Sequence, residues 1–224
     1  MKISYISFSE KGSRVNNEDC RNVVNINDER KMFIVCDGMG GHAFGEVASK
    51  TVCDSISEYW EIHPDEKDGG SKVYRATKEA QKILDEKSGI YQMGTTMVMM
   101  SIDGQKATIA YTGDSRCYVI GLKGNVRYRT LDHIETGTPW IPYINRAFFT
   151  RHPEQAIPEI KQIELQPCDR ILLCTDGLYN VIDDETLLYT LQCAKDVDHV
   201  AEKYMSICRE NADDNYTAII IEVE

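Results

Sequence analysis

Four aspartates in this chain share one local context, an acid beside an apolar run and next to small or turn-forming residues. Asp37-Gly38 closes Met32-Phe33-Ile34-Val35-Cys36, and Asp176-Gly177 closes Ile171-Leu172-Leu173-Cys174-Thr175. Asp114 lies in Gly113-Asp114-Ser115-Arg116 after Ala107-Thr108-Ile109-Ala110-Tyr111, and Asp214-Asn215 precedes Tyr216-Thr217-Ala218-Ile219-Ile220-Ile221. Carboxylates at strand ends are carried by rigid backbone, and several converging oxygens suit a hard divalent cation. Asp-Gly is also plain turn chemistry, and Asp103-Gly104, joining two strand-like runs, is this chain's own example. Turns alone are a poor account of four acids that each abut a strong apolar run. A metal centre is the better one.

Glu18-Asp19 adds two more carboxylates, and Arg14, four residues earlier, carries a guanidinium fork that fits a phosphate bidentately. Taken alone, Arg14 would be an ordinary surface arginine. The stretch Gly38-Met39-Gly40-Gly41-His42-Ala43-Phe44-Gly45 links a strand to a helix, where backbone N–H groups can cradle phosphate. It is not a P-loop, because no Gly-Lys-Ser/Thr follows. It meets the dinucleotide fingerprint only loosely, and an acid before its first glycine would repel a pyrophosphate. His42 could donate a proton to a leaving group; the plainer reading is a hydrogen-bonded surface histidine.

The elements that must position these groups are mostly short strands. Residues 1–8, 31–36, 95–102, 106–112, 117–122, 159–165, 170–175 and 216–223 have strand character. Helical spacing runs over 45–60 and 73–87, separated by a loop at 61–71, and returns over 184–193 and 196–209. Residues 133–158 contain four prolines and no period, which predicts an irregular surface segment. Strand clusters around paired helices, without strict βαβ alternation, favour an α+β fold with antiparallel sheets. No repeat or composition break marks a boundary, so one domain over 1–224 is expected.

Composition narrows the function. With 42% hydrophobic and 27% charged residues in 224, the chain is an ordinary globule able to bury about 70% of its surface. A net charge of −11 excludes a general nucleic-acid binder and attraction to an anionic membrane. The eight cysteines form no C-x-x-C pair and no zinc spacing, so they are expected reduced, in a cytoplasmic protein. There is no signal-peptide core and no apolar run near the ~20 residues of a membrane span.

The ordered set Gly12-x-Arg14-x-x-Asn17-Glu18-Asp19, Asp37-Gly38-Met39-Gly40-Gly41-His42-x-x-Gly45-Glu46-x-Ala48-Ser49, Gly94-Thr95-Thr96, Gly113-Asp114-Ser115-Arg116, Asp176-Gly177-Leu178 and Asp214-Asn215 resembles the metal-dependent protein phosphatases, the protein phosphatase 2C family, in their bacterial form. The resemblance implies a β-sandwich of two antiparallel sheets flanked by antiparallel helix pairs, a four-layer α-β-β-α arrangement. It implies that Asp37 bridges two Mn²⁺ or Mg²⁺ ions and that the Gly38 carbonyl completes one shell. Asp176 and Asp214 would bind the other ion, Glu18 and Asp19 would hold coordinated waters, and Asp114 with Asp176 would form a weaker third site. Arg14 would grip the substrate phosphate. His42 is expected as the proton donor from its own chemistry, since eukaryotic members carry their histidine directly after Asp-Gly, where this chain has Met39. A water shared by two cations ionises near neutral pH, so no cysteine or serine nucleophile is required.

The implied activity is hydrolysis of phosphoserine and phosphothreonine in proteins phosphorylated by a serine/threonine kinase, by a monomer with no nucleic-acid or membrane partner. Two other readings stay open: a catalytically weak family member that binds phosphoproteins, and a phosphoesterase acting on small metabolites. Departures from the family pattern gather in the short flap at 133–150. Ile134 follows Asp132-His133 where a serine is usual, and Phe148-Phe149 follows Arg146-Ala147 where Leu-Gly is usual. The aromatics Trp140, Tyr143, Phe148 and Phe149 are expected either to line the cleft rim or to pack on the core.

Overall fold

The computed structural model describes residues 1–39, 44–137 and 140–224. Two five-stranded antiparallel sheets carry the fold. In chain order the first strands are β1 (Ile3–Glu10), β2 (Asp19–Asn25) and β3 (Arg30–Asp37), followed by helices α1 (Gly45–Ile62) and α2 (Gly70–Ser88). Then come β4 (Gly94–Thr95), β5 (Met97–Asp103), β6 (Lys106–Thr112), β7 (Arg116–Ile120) and β8 (Val126–Arg129). The short strands β9 (Ile134–Thr136), β10 (Pro142–Ile144) and β11 (Phe148–Phe149) precede β12 (Glu159–Glu164) and β13 (Arg170–Cys174). Helices α3 (Asp176–Tyr179), α4 (Asp184–Cys193) and α5 (Val197–Asn211) lead to the last strand, β14 (Tyr216–Val223). One sheet has the order β1-β14-β13-β7-β8 and the other β12-β6-β5-β3-β2.

The period of two along each strand builds four layers. Phe33 and Val35 of β3 face Ile171, Leu173, Ile219 and Ile221 of the other sheet, forming the core between the sheets. Their neighbours Met32, Ile34 and Cys36 point the other way, onto Val52, Ile56 and Trp60 of α1 and Ala76, Ala80 and Leu84 of α2. On the far side Leu172, Cys174, Ala218 and Ile220 pack under Leu187 and Leu191 of α4 and Val200 and Tyr204 of α5. Both faces of the central strands are therefore covered, which explains their near-continuous apolar runs. The four-layer α-β-β-α sandwich is the expected one.

The structure corrects the expectation of an irregular segment at 133–158. β9 pairs with β10 as a hairpin, and β11 pairs with β4, fifty-odd residues back along the chain. Ala147 and Phe148 are fully buried, Phe148 against the helical layer formed by α1 and α2. Strands of two and three residues carry no readable period, and Pro142 at a hairpin edge costs no ladder bond that matters. Two edge strands also went unread, β2 and β8, because each is only partly buried and carries polar residues on both faces. The eight cysteines are all unpaired. No helix among the described residues is long and apolar enough to cross a membrane.

Candidate active site and metal centre

Antiparallel order puts alternate strand starts and strand ends at one edge of the sandwich. At that edge β3 ends at Asp37, directly opposite Asp19 at the start of β2. β13 runs through Thr175 into Asp176, the first residue of α3. Asp214 stands just before β14, and Gly113-Asp114 turns the chain from β6 to β7. Arg14, Glu18, Asp37, Gly38, Asp114, Asp176 and Asp214 all line a single cavity of about 1230 Å³. Asp19 lies behind this lining, where Thr175 Oγ1 donates to its Oδ2 at 2.9 Å. The remaining oxygen, Asp19 Oδ1, is buried without a hydrogen-bond partner.

The holding groups were not singled out from sequence as such. Both backbone groups of Asp37 are fixed by the threonine pair: its N–H donates to Thr96 Oγ1 (3.0 Å), and its carbonyl accepts from Thr95 Oγ1 (2.8 Å) and the Thr96 N–H (2.9 Å). Asn215 clamps the N-terminal loop to β14. Its Oδ1 accepts from the Glu18 N–H (2.8 Å), and its Nδ2 donates to the carbonyls of Lys11 (2.8 Å) and Asn16 (2.9 Å). Thr95, Thr96 and Asn215 belong to the ordered motif set, but these contacts join segments far apart in the chain, so their partners are not readable locally.

The glycines after two of the acids are there for close approach. A Cβ at Gly38 would stand 2.4 Å from the Gly45 carbonyl oxygen and 2.6 Å from that of Glu18. At Gly177 it would stand 2.0 Å from the Asn215 carbonyl oxygen. Three backbones meet at Gly38, and no side chain fits between them.

Electrostatics sets this edge apart. Burial, and then the charges of Asp19, Asp176, Asp114 and Asp214, hold the Asp37 carboxyl well above its ordinary range. Burial followed by Asp214 raises Asp176, and burial followed by Asp176 pushes Asp114 up to about 7. Asp19 also rises to about 7, chiefly through burial, against the lowering hydrogen bonds of Thr217 and Thr175. Burial and Glu46 raise Glu18. Like-charged carboxylates taken out of water are unfavourable unless a cation joins them. Arg14 brings a cation to this edge: its Nη2 donates to Asp214 Oδ2 at 2.7 Å, with its side chain half exposed.

This donor set, all hard oxygen, together with the orphaned Asp19 Oδ1, fits divalent cations of the Mg²⁺ or Mn²⁺ kind. Among the described residues no three Asp, Glu, His or Cys side chains are gathered to hold one ion by themselves. Backbone carbonyls and water would share in any shell, as is usual for Mg²⁺. His42, with Gly40, Gly41 and Ala43, lies outside the described residues.

The four flap aromatics separate. Tyr143 and Phe149 line the cavity, Phe148 is core, and Trp140 is 85% exposed and is not part of the lining. His133, in the Asp132-His133 pair, braces the hairpin root. It accepts the Gly113 N–H at Nδ1 (3.1 Å), and its backbone N–H donates to the Gly113 carbonyl (3.0 Å). The root of the β9–β10 hairpin is thereby tied to the Asp114 turn.

A family model described as protein phosphatase 2C matches residues 10–216. The chain belongs to the protein phosphatase 2C family. It is 26% identical to the serine/threonine protein phosphatase PstP of Mycobacterium tuberculosis, a match covering 99% of this chain and 45% of that protein. The chain thus spans about half the length of that relative. It is 26% identical to the serine/threonine phosphatase stp of Listeria monocytogenes, over 93% of this chain and 91% of that one. Among solved structures, the catalytic domain of PstP in complex with two manganese ions superposes with a TM-score of 0.80 at 28% identity, covering 99% of both chains. Family membership and a shared fold accompany an edge whose acids arise from five separate segments.

Proposed function

We propose that this chain is a metal-dependent serine/threonine protein phosphatase, in which Asp37, Gly38, Asp176 and Asp214 hold two Mn²⁺ or Mg²⁺ ions. The observation that carries the reading is the set of partly buried, mutually repelling carboxylates sharing one cavity with Arg14. Glu18 and Asp19 support the same centre through coordinated water, and Asp114 with Asp176 offers a weaker third site. Divalent cations there would polarise the phosphoryl oxygens and supply a water that is acidic near neutral pH.

The chain's own groups do the rest. Arg14, at the cavity wall, binds phosphoryl oxygen through its guanidinium N–H groups and offsets charge that grows in the transition state. Its bond to Asp214 Oδ2 aims the fork at the acidic edge before substrate arrives. Thr95 and Thr96 hold the backbone of Asp37, and Asn215 holds that of Glu18, so the acids move little during reaction. The proton donor to the departing seryl or threonyl oxygen is proposed as His42. The substrates are phosphoproteins made by a serine/threonine kinase, and the working form is a cytoplasmic monomer with one catalytic unit over 1–224.

Hydrolysis of a phosphoserine peptide with and without Mn²⁺, by wild type and Asp176→Asn, tests the reading. Metal-stimulated turnover is expected in the wild type and its loss in the variant. A folded wild type with no metal-stimulated turnover sinks it.

A further inference from the structure

The cavity is larger than a phosphoryl group needs. At about 1230 Å³ it exceeds the roughly 300–1,000 Å³ of ordinary small-molecule pockets, and its lining is of two kinds. Beside the acids stand Met39, Met93 and Phe149 from the sandwich, and Pro142, Tyr143 and Ile144 from the β9–β10 hairpin.

The first wall is built next to Asp37. Met39 lies two residues beyond it, and its N–H donates to the Gly94 carbonyl at 3.0 Å. Phe149 is the register partner of Gly94 in the β11–β4 pair. A Cβ at Gly94 would stand 2.9 Å from Phe149 Cδ1 and 3.1 Å from Met39 Sδ. Glycine at 94 therefore leaves the space that the phenyl ring and the thioether fill together. A Phe/Met surface is adaptable and favours apolar partners.

The second wall is the hairpin, whose root is tied to the Asp114 turn through His133 and through the Asn145 N–H to the His133 carbonyl (3.0 Å). Tyr143 stands opposite Glu135 in the register, and its hydroxyl donates to Glu135 Oε2 at 3.1 Å. Asn145 Nδ2 donates to the other oxygen of the same carboxylate at 2.6 Å. The acid of this hairpin is thus partnered within the hairpin, and half-exposed Tyr143 lines the cavity.

A ligand that places its phosphoryl group against Arg14 and the acids lays its adjoining atoms along these walls, because all of them bound one space. In a phosphoprotein those atoms are the residues flanking the phosphorylated one. We propose that Met39, Phe149 and Tyr143 form a subsite for a large apolar side chain beside the phosphoserine or phosphothreonine. The proposal rests on the phosphatase reading of the same cavity.

The test uses one phosphoserine peptide sequence, with the residue before or after the phosphoserine set to Leu, Phe, Ala or Lys. Two quantities are read for the wild type: kcat/KM with Mn²⁺, and Kd from the anisotropy of labelled peptides without added cation. Leu or Phe on one side should be preferred over Ala and Lys by about 10-fold, the scale of one apolar group in a pocket. Tyr143→Ala and Met39→Ala should each reduce that preference to within about threefold, while Tyr143→Phe, which keeps the ring, retains it. Trp140→Ala, outside the cavity lining, should also retain it. Should Met39→Ala melt early, half-exposed Tyr143 decides alone. Equal Leu and Ala values, a Lys preference, or a preference that survives Tyr143→Ala overturns the subsite. Failure of the phosphatase reading looks different: no peptide and no p-nitrophenyl phosphate is turned over, and the Kd ranking still decides the subsite.

Discussion

An Asp-Gly pair lies beside each end of β3, one its own and one in the β5–β6 turn, and the two pairs solve different problems. At one end Arg30 is opposite Asp103, and Gly104 follows in the hairpin to β6. Gly104 has φ +60° and open space around a would-be Cβ, so glycine is needed there for its dihedral. Asp103 keeps a partly exposed carboxylate with Arg30 Nε at 3.8 Å. At the other end Gly38 is needed because three backbones converge on it, and Asp37 is partly buried among four like charges. One end of the sheet is built for folding. The other holds an electrostatic arrangement that the rest of the sandwich must stabilise, as functional sites commonly do.

The contrast can be broken most sharply through the acids. Asp37→Asn should lower phosphopeptide kcat by about 10²–10³-fold, the scale for losing one electrostatic group of a reactive site. Asp103→Asn should leave kcat within about twofold, since a surface change of this kind stays within about 0.5 kcal/mol. Comparable losses in both would erase the distinction between the ends.

Next come the glycines, read by denaturant unfolding. Gly38→Ala forces a Cβ into backbone and should cost about 3 kcal/mol or more, if it folds at all. Gly104→Ala meets no neighbour and should cost only about 1 kcal/mol of left-handed strain. Equal costs would mean that the crowding at Gly38 relaxes freely.

Arg14→Ala tests the cation at the acidic edge. KM for a phosphopeptide should rise by one to two orders of magnitude, corresponding to about 1.5–3 kcal/mol of charge-assisted hydrogen bonding. Mn²⁺ affinity should change little; an unchanged KM argues against phosphate binding by Arg14.

The smallest effect is a slope with pH. Asp19 and Asp114 are raised from 3.8 to about 7 in the folded chain. Between about pH 4 and 7 the folded, cation-free protein therefore keeps protons that the unfolded chain has released. Its stability contribution is present at the low end and lost as pH rises through 7. Melting in EDTA should show Tm falling steadily over that window. Added Mn²⁺ should flatten the slope by taking the protons' place. A Tm that climbs from pH 4.5 to 7 in EDTA would contradict the raised acids.

Much of this was legible from local pattern. The helices at α1, α2, α4 and α5 follow from apolar residues at helical spacing, and the central strands from runs such as Ile171–Leu173 and Ile219–Ile221. Four acids, Asp37, Asp114, Asp176 and Asp214, were legible because each lies beside such a run, whereas Glu18 and Asp19 have no run to mark them. The flap was misjudged, since β9, β10 and β11 are too short to show a period, and β11 exists only because β4 is beside it. Trp140 illustrates the limit. An aromatic next to proline reads as rim or core, and the structure leaves it exposed and outside the cavity lining.

By itself the sequence determined which residues are strand, helix and turn over most of the chain, and which acids lie at strand ends, because backbone propensity and side-chain period are local properties. Only the tertiary structure decided that Asp19 stands across from Asp37, that Thr95, Thr96 and Asn215 hold the acids, and that Met39, Phe149 and Tyr143 border the same cavity. Those facts depend on register and on contacts between segments far apart in the chain. Such contacts are selected by the sum of core packing across two sheets, and no single stretch of residues encodes that sum.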